Sequence, residues 1–584
     1  SRAEGQSVCE RHYGLRLLAA LLAAGLAVCS GRAARAQTAN YFATPWIVAP
    51  IAPRVSTPPG SAPSAPVAAV PTPGTSNLYN QALAPSQTGT PPVVYTINLG
   101  VDEIATDNVY ETQSNRVPDL TSLFSAGGTV SADTERVSGL VTLTGLYRRN
   151  INDTNFDEFS EYAYAQGQGV IVPGNLYMTV HGTIDDLSAQ GGGIQSPLVQ
   201  AAQSTHAYTI SSSPYFVAQV PEVGINVLRY QIGQIWFSNN APFENVAPVS
   251  PQSLTASTDQ TAREDFRMAG TLLPEFMTDL SLSATEDNAG NSASGNLQIA
   301  NGELINEYEV TRWASLIGGA GYEDLHDPEV PVVDGQDAIW DFGGRVRPNE
   351  DSYALLLYGR HDEISDFAGE VAWRLTPITD FYAAYTDSLA TQQQSVIATN
   401  AGSVLGPAGA VSGINFSQST IIGVLNDSVL NGTPGSDTGL APMGIPVGTS
   451  NNLTALQNGL FRSKILSGSA RMIMDSSSLV LTAYDSRQIS LTPLYVPSSS
   501  GEGAQLSWST AFSPRLNGVA VAGYTRETGF GAGDVYNIAI GGTYLITDSL
   551  ALQLRYDLIR RDGEPSSTGY LQNAVTLGLH KFFL

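Results

Sequence analysis

The chain has 584 residues, a formal net charge of −25 and only 14% charged residues, well below the roughly 25% of ordinary soluble domains. Because 42% of the residues are hydrophobic, the sequence is not that of a disordered polyelectrolyte. A nucleic-acid-binding protein is excluded, since the 28 basic residues form no cluster and face 53 acidic ones.

Residues 1–36 have the pattern of a secretory signal peptide, with arginines before an apolar run over 17–28 and small residues before the expected cleavage site. The run is too short to span a bilayer as a helix, which needs about 20 residues. A lipoprotein acylated on Cys29 is the alternative. Cys9 and Cys29 both lie in this segment, so the exported chain is predicted to lack thiols, disulfides and zinc–thiolate sites.

Residues 37–92 are rich in proline, which favours extended conformations and cannot bury a core. This composition predicts a disordered periplasmic linker. The alternative is a tether that docks on a partner or enters a pore.

From residue 93 onward, apolar and polar residues alternate with a period of two, which is typical of strands with one apolar face. In one example, Trp340, Phe342 and Val346 alternate with Asp341 and Arg345. The predicted strands start near residues 93, 119, 135, 157, 175, 206, 224, 258, 276, 297, 314, 337, 352, 364, 379, 461, 478, 501, 518, 534, 549 and 571.

The connections after even-numbered strands are tight and those after odd-numbered strands are mostly longer, with short exceptions at 361–364 and 529–534. This rhythm predicts an all-β fold for 93–584, a transmembrane antiparallel up-and-down β-barrel of about 22 strands (range 18–24) in the outer membrane of a Gram-negative cell. A soluble propeller or β-solenoid is the alternative. Residues 391–460 form the longest loop, expected to constrict the pore or to cap it.

The last strand places Val575, Leu577, Leu579 and Phe583 on one face. An aromatic residue near the end of such a strand resembles the signal by which barrel-assembly machinery recognises its clients, so this machinery is an expected partner.

No motif for catalysis, cofactor binding or metal binding stands out, and we expect a protein that is not an enzyme and needs no cofactor. The six histidines lack metal-ligand spacing, and we expect them to be polar lumen or loop residues: His12, His181, His206, His326, His361 and His580. Two acidic loops contain ligands that suit Ca²⁺, although their spacing matches no EF-hand and solvation is the preferred interpretation: Glu323, Asp324, Asp327, Glu329, Asp334 and Asp337 in one, and Glu286, Asp287 and Asn288 in the other.

Alternation places a set of polar residues on the face that a barrel turns inward, and these are the candidate lumen-lining residues: Asp341, Arg345, Gln505, Asn537, Gln553, Arg555 and Asp557. The negative net charge predicts a pore that repels polyanions and accepts a neutral or weakly charged polymer.

Several stretches resemble the outer-membrane β-barrels associated with PEP-CTERM/exosortase systems and exopolysaccharide clusters. They are Thr106–Tyr110 followed by Ser114–Arg116 and Asp119, Tyr208–Ser211 leading to Ser213–Tyr215, Trp340–Pro348 through Tyr358–Arg360, Leu479–Arg487, and the strand from 571. The resemblance extends over roughly 95–584 and implies a component of exopolysaccharide synthesis or export. It supplies no catalytic residues.

These observations predict a monomeric outer-membrane pore for exopolysaccharide export, whose partners are membrane lipid, the polysaccharide and periplasmic polysaccharide-export proteins. One alternative is a structural barrel with a filled lumen whose loops bind matrix. Another is a general porin or solute channel.

Overall fold

A computed structural model describes residues 93–583, with gaps at 111, 135, 153–157, 189–203, 221–223, 238–256, 270–275, 290–295, 327–334, 350–351, 362–363, 377, 392–459, 475–476, 492–497, 514, 529–532, 548 and 564–568. The predicted signal peptide, the predicted linker and most of the predicted long loop lie outside the described residues.

The described residues form 22 strands, the predicted number, and each starts within about two residues of its predicted position. Strand lengths range from 10 residues in β13 to 17 in β6. The strands are β1 Val93–Thr106, β2 Asp119–Asp133, β3 Val137–Asn150, β4 Glu158–Val172, β5 Leu176–Ser188, β6 Ser204–Val220, β7 Gly224–Phe237, β8 Ser257–Ala269, β9 Phe276–Ala289, β10 Asn296–Thr311, β11 Ala314–His326, β12 Gly335–Asn349, β13 Ser352–His361, β14 Ile364–Thr376, β15 Thr379–Thr391, β16 Leu460–Met474, β17 Ser477–Ser490, β18 Ser499–Ser513, β19 Leu516–Thr528, β20 Gly533–Thr547, β21 Leu550–Gly563 and β22 Tyr570–Phe583.

Each strand pairs antiparallel with the strands before and after it, and β1 also pairs with β22. That last pairing runs from Ile97 opposite Phe583 to Thr106 opposite Ala574, so the sheet closes on itself. One closed antiparallel sheet is the predicted barrel, and it rules out a propeller or a solenoid. Within the part of the chain described, no helix is long and apolar enough to cross a membrane.

The two sizes of connection are confirmed. Residues 312–313 and 350–351 are examples of the tight connections after even-numbered strands, and 238–256 and 392–459 are examples of the long ones after odd-numbered strands. In bacterial barrels the short turns face the periplasm and the longer loops face the exterior. We therefore refer to the turn end and the loop end of the barrel.

The pairing register shifts by one residue beside several tight turns, namely in the hairpins β4–β5, β10–β11, β12–β13, β14–β15, β18–β19 and β20–β21. The glycine pairs are a different case. Gly127–Gly128 and Gly343–Gly344 lie in strands, and the register runs through them without a break. At the second pair, β13 passes close to Gly343, where an added Cβ would lie 2.0 Å from the carbonyl oxygen of Leu356.

The outward face of the barrel is apolar and accessible. Many of its large apolar side chains are 36% to 63% exposed. Aromatic residues lie near both ends of this face, with Tyr95, Trp313, Phe512, Tyr544 and Phe583 at the turn end and Tyr147, Phe159, Tyr322, Trp340 and Tyr536 at the loop end. Two aromatic girdles around an apolar band are the pattern of a barrel in a bilayer.

The inward face carries the buried residues, both polar and apolar. Small apolar clusters form between neighbouring strands, such as Leu123 with Leu146, and Val519 and Val521 with Ala539. Polar residues alternate along the same face of these strands, for example Asn537 beside Ala539. The side chains of the wall therefore pack on one another across the strands.

Candidate functional site

The candidate site is the inward polar face, and the structure places all the predicted lumen-lining residues on it. Six of the seven are nearly fully buried, with exposures of 1% to 6%: Asp341, Arg345, Asn537, Gln553, Arg555 and Asp557. The seventh, Gln505, is partly exposed on the same face. The sequence indicated which face these residues occupy, but it did not indicate that they would be packed into the wall.

Arg345 belongs to a polar chain across three strands near the turn end. Its guanidinium Nη1 lies 3.0 Å from the Glu307 carboxylate, and the Ser315 hydroxyl on the strand between them donates to the same carboxylate at 2.5 Å. Glu307 is on β10, Ser315 on β11 and Arg345 on β12. The charge of the arginine is therefore balanced within the wall.

Two further inward acids have basic neighbours. Both Asp341 carboxylate oxygens lie 3.0 Å from His361 Nε2 on the adjacent strand. Arg555 donates to Asp557 Oδ1 on the same strand, at 2.9 Å from Nε and 2.6 Å from Nη2. The second pair is formed between residues two positions apart, because alternate residues of a strand share a face.

The seam between the first and last strands holds an acid–histidine pair that sequence reasoning missed. His580 Nε2 of β22 lies 3.0 Å from Asp102 Oδ1 of β1, and both side chains are buried. Glycines make room for the pair, since a Cβ on Gly100 would lie 2.4 Å from His580 Nδ1 and one on Gly578 would lie 2.0 Å from Asp102 Oδ1. Alternation alone placed both residues inward, but nothing local in the sequence pointed to their contact.

A group of hydrogen bonds, which we call the latch, joins the residues just after β1 to the start of β22 at the loop end. Asp107 accepts hydrogen bonds from the backbone N–H and the side-chain amide of Asn573, each at 2.7 Å. Asn108 donates through its side-chain amide to the Leu571 carbonyl at 3.0 Å, and the Gln572 side chain donates to the Asn108 carbonyl at 2.9 Å. Asp107 and Asn108 belong to the Thr106–Tyr110 stretch noted in the sequence. In this chain that stretch holds the barrel closed.

Near the turn end, the inward face also carries an aromatic stack. The rings of Tyr177 and Tyr215 lie 5.0 Å apart at an interplanar angle of 14°, and the Arg229 guanidinium lies 4.6 Å from the centre of the Tyr215 ring. The three residues come from β5, β6 and β7, and both tyrosines are partly exposed. Tyrosine rings and guanidinium groups are surfaces on which sugars can stack and form hydrogen bonds.

The inward histidines and acidic residues do not form a metal site within the described strands, where no cluster of three or more suitable ligands occurs. His181, His361 and His580 lie on the inward face, on three different strands. Glu323 is buried on the inward face of β11, whereas Asp324 is exposed on its outward face, so these two do not converge on one ion. Asp327, Glu329 and Asp334 of the same predicted acidic loop lie outside the described residues.

Comparisons with known proteins give only structural similarities. No family model matches the sequence, and no curated protein matches it. The solved structures with a similar fold include the FrpB iron transporter from Neisseria meningitidis, with 11% identity, a TM-score of 0.44, and coverage of 84% of this chain and 82% of that chain. They also include a mutant of the ferric enterobactin receptor PfeA from Pseudomonas aeruginosa, with 9% identity, a TM-score of 0.43, and coverage of 83% and 80%. The outer membrane protein opdK from the same species has 9% identity, a TM-score of 0.30, and coverage of 84% and 99%.

The strand pairing and the outward face of the barrel establish where in the cell the protein is located. Every strand has two hydrogen-bonded neighbours, and the outward face is an exposed apolar band between aromatic girdles. In a bilayer all backbone polar groups must be paired, which closed barrels achieve. The protein is an outer-membrane β-barrel.

Proposed function

We propose that this barrel is the outer-membrane passage of an exopolysaccharide export system and acts without catalysing a reaction. The observation that carries the proposal is the charge balance of the inward wall. Arg345 lies against Glu307, and Arg555 lies against Asp557, so each of these two pairs in the wall is neutral overall. Such a wall presents hydrogen-bonding groups without a strong field of one sign.

A neutral or weakly charged polysaccharide suits this wall. The negative net charge of the chain supports the same choice, since it disfavours polyanions. The stack of Tyr177, Tyr215 and Arg229 supplies a place near the periplasmic turns where a sugar ring can make contact. Barrels of this strand number enclose a lumen wide enough for a plug, so the wall side chains do not by themselves fill it.

The resemblance to barrels of exopolysaccharide clusters supports the same class of cargo. It extends over most of the strands, including the Trp340–Pro348 stretch, which contributes Asp341 and Arg345 to the inward face. Periplasmic polysaccharide-export proteins are the proposed partners at the turn end. Barrel-assembly machinery is the proposed partner during insertion, and the barrel is proposed to be monomeric.

A structural barrel with a filled lumen is the second candidate. The observation that favours it is the burial of the inward polar residues, because a wall bathed in water would leave more of each side chain accessible. In this case the loops would bind matrix and nothing would cross the lumen. A general solute channel would instead conduct small molecules without requiring a polysaccharide.

Deletion of the gene in a polysaccharide-secreting host tests the proposal. We expect secreted polysaccharide to fall and to recover when the native gene is restored. Restoration with Tyr177→Ala/Tyr215→Ala is expected to recover less polymer than restoration with Phe512→Ala, which removes an outward aromatic residue at the same end. Normal secretion by the deletion strain would reject the proposal.

Single-channel recording in planar bilayers separates the alternatives. An export passage is expected to conduct, and the polymer is expected to block the current from the turn side. Conductance that the polymer does not affect would indicate a general porin. No conductance under any condition would indicate the filled structural barrel.

A further inference from the structure

The loop end of the β15–β16 hairpin differs from the rest of the wall. We call residues 386–391 of β15 and 460–465 of β16, which pair with each other throughout, the strap. On one side the strap stays joined to the wall, because β16 pairs with β17 as far as Phe461 opposite Ser490. That side can therefore act as a hinge.

On its other side the strap is separate from β14. The ladder between β14 and β15 ends at Gly369 opposite Tyr385. Both strands are described beyond this row, yet within that described part no further row joins residues 364–368 to the strap. Residues 364–368 pair with β13 instead. The strap is thus held by β17 and released from β14.

The early end of a ladder is not enough to identify a moving element. The ladder between β4 and β5 also ends early, at Ala163 opposite Ile184. There the hydroxyl of Tyr208 on β6 donates to Glu161 on β4 at 3.1 Å, which connects the strands at that level. What distinguishes the strap is where its side chains pack.

The strap is buried on the face that elsewhere meets lipid. In the register, Leu389 and Leu460 belong to the same face as Leu466, which is 50% exposed in the apolar band. Leu389 and Leu460 are only 2% and 1% exposed. Asp387 shares this face, and its side chain is 7% exposed. The outward face of the hairpin is therefore covered at its loop end.

The residues that cover this face come from the inward side of other strands. One buried apolar cluster contains Leu389 and Leu460 of the strap together with Leu297, Ile299 and Leu325. The members on β10 and β11 are inward, because Leu304 and Tyr322 on the opposite face of the same strands are exposed. Three strands separate β11 from β15, so in the plane of the wall the two groups would be at least about 19 Å apart, with neighbouring strands about 4.8 Å apart. The strap must therefore leave the wall and lie on the lumen side of β10 and β11.

A second position of the strap is available at the free side of β14. Extending the β14–β15 register would place Ser365 opposite Leu389 and would add backbone pairing along residues 364–368. In that position Leu389 returns to the lipid-facing band and the mouth of the barrel widens. Each position offers what the other lacks, since the first buries apolar side chains and the second pairs backbone groups.

We propose that the strap is a gate of the lumen. In the closed position it packs on β10 and β11 and narrows the mouth, and in the open position it pairs with β14. Hinge motions of this kind switch a packed element between two discrete arrangements. The proposal concerns the width of the mouth and is independent of the cargo.

Cross-linking tests the two positions through one common strap residue. The background is the full-length chain with Cys9→Ser and Cys29→Ser, which leaves no native thiol. The closed pair is Leu389→Cys/Leu325→Cys, and the open pair is Leu389→Cys/Ser365→Cys. Each is treated in outer-membrane vesicles with a short, reducible bis-methanethiosulfonate.

Two further pairs are controls. Val371→Cys/Ala383→Cys joins opposed residues of β14 and β15 and is expected to cross-link fully. Ile317→Cys/Ala383→Cys joins β11 and β15 below the strap and is expected not to cross-link, because four strand spacings separate these strands. A heat-modifiability gel shows that each variant is folded before it is compared.

We expect both strap pairs to cross-link, the closed pair in the larger fraction of molecules. In planar bilayers, joining the closed pair is expected to lower the single-channel conductance, and joining the open pair is expected to raise it above the native level. Reduction of the cross-linker is expected to restore the native conductance. The same cross-links are expected in a host that makes no polysaccharide, so failure of the export proposal would not affect them.

Three results would overturn the proposal. Failure of the closed pair to cross-link, while the Val371/Ala383 control does, would place the strap in the wall. Failure of the open pair, even when Ile299→Ser weakens the apolar cluster, would make the strap a fixed constriction. Conductance that neither cross-link changes would show that the strap does not control the lumen.

Discussion

Replacing Gly578 with alanine is expected to weaken the joint between the first and last strands. A Cβ at this position would lie 2.0 Å from Asp102 Oδ1 and 2.7 Å from His580 Nε2, far inside van der Waals contact. Both neighbours are buried and lie 3.0 Å from each other. The carboxylate must therefore move away from the histidine, and the wall offers it little free space.

The magnitude follows from three contributions. Inserting a methyl group into a packed site costs about 1–3 kcal/mol. Complete separation of the buried Asp102–His580 pair sets an upper limit of about 3–5 kcal/mol. Alanine is more favourable than glycine within a strand by about 0.5–1 kcal/mol, which opposes these losses. We expect the Gly578→Ala variant to lose about 2 kcal/mol of unfolding free energy.

Urea unfolding in lipid vesicles, followed by tryptophan fluorescence, measures this loss. Gly169→Ala is the matched control, because its nearest contact is the Met178 carbonyl oxygen at 4.0 Å and an added Cβ has room. The control is expected to be as stable as the native protein or slightly more stable. If the two variants unfold at the same urea concentration, the joint is not packed as described and the reasoning fails.

Two further changes test the latch and the apolar band. Asp107→Ala removes the acceptor of two 2.7 Å hydrogen bonds from Asn573, and we expect it to lower the unfolding free energy by about 1–3 kcal/mol. The control Asp562→Ala removes an exposed pair with Arg560 and should change the unfolding midpoint little. Equal losses of stability in the two variants would contradict the latch. Leu554→Arg places a charge on an outward position that is 57% exposed, and we expect it to lower the unfolding free energy in vesicles by about 2–4 kcal/mol. An unchanged urea midpoint would place this position outside the bilayer.

The strands and their faces were predictable because both depend on local patterns. Trp340 and Phe342 are outward and Asp341 is inward in the structure, as the alternation predicted. Tight turns such as Pro173–Asn175, where Gly174 has a positive φ, mark the strand ends through residues that are compatible with sharp reversal. Contacts between distant parts of the chain were not predictable in this way. Asp102 and His580 meet only because the sheet closes, and no local pattern reports the register of that closure.

The packing of the inward acids also depends on a one-residue shift in the pairing register beside the turn. Asn349 is opposite Ser352 at the turn, but beyond the shift Asp341 is opposite Gly359 and not Arg360. The glycine matters because a Cβ there would lie 1.9 Å from Asp341 Oδ1. A hairpin without the shift would place a long arginine side chain opposite the acid and turn one of the two residues to the wrong face.

The same arrangement recurs in the preceding hairpin. Thr311 is opposite Ala314 at the turn, and beyond a similar shift Glu303 is opposite Gly321, whose added Cβ would lie 3.0 Å from the Glu303 Cβ. An inward acid opposite a glycine has room to lie along the wall. The alternation of polar and apolar residues is the same whether the inward side chains project into the lumen or pack along the wall. In these two hairpins the position of the bulge beside the turn decides which residue is opposite each inward acid.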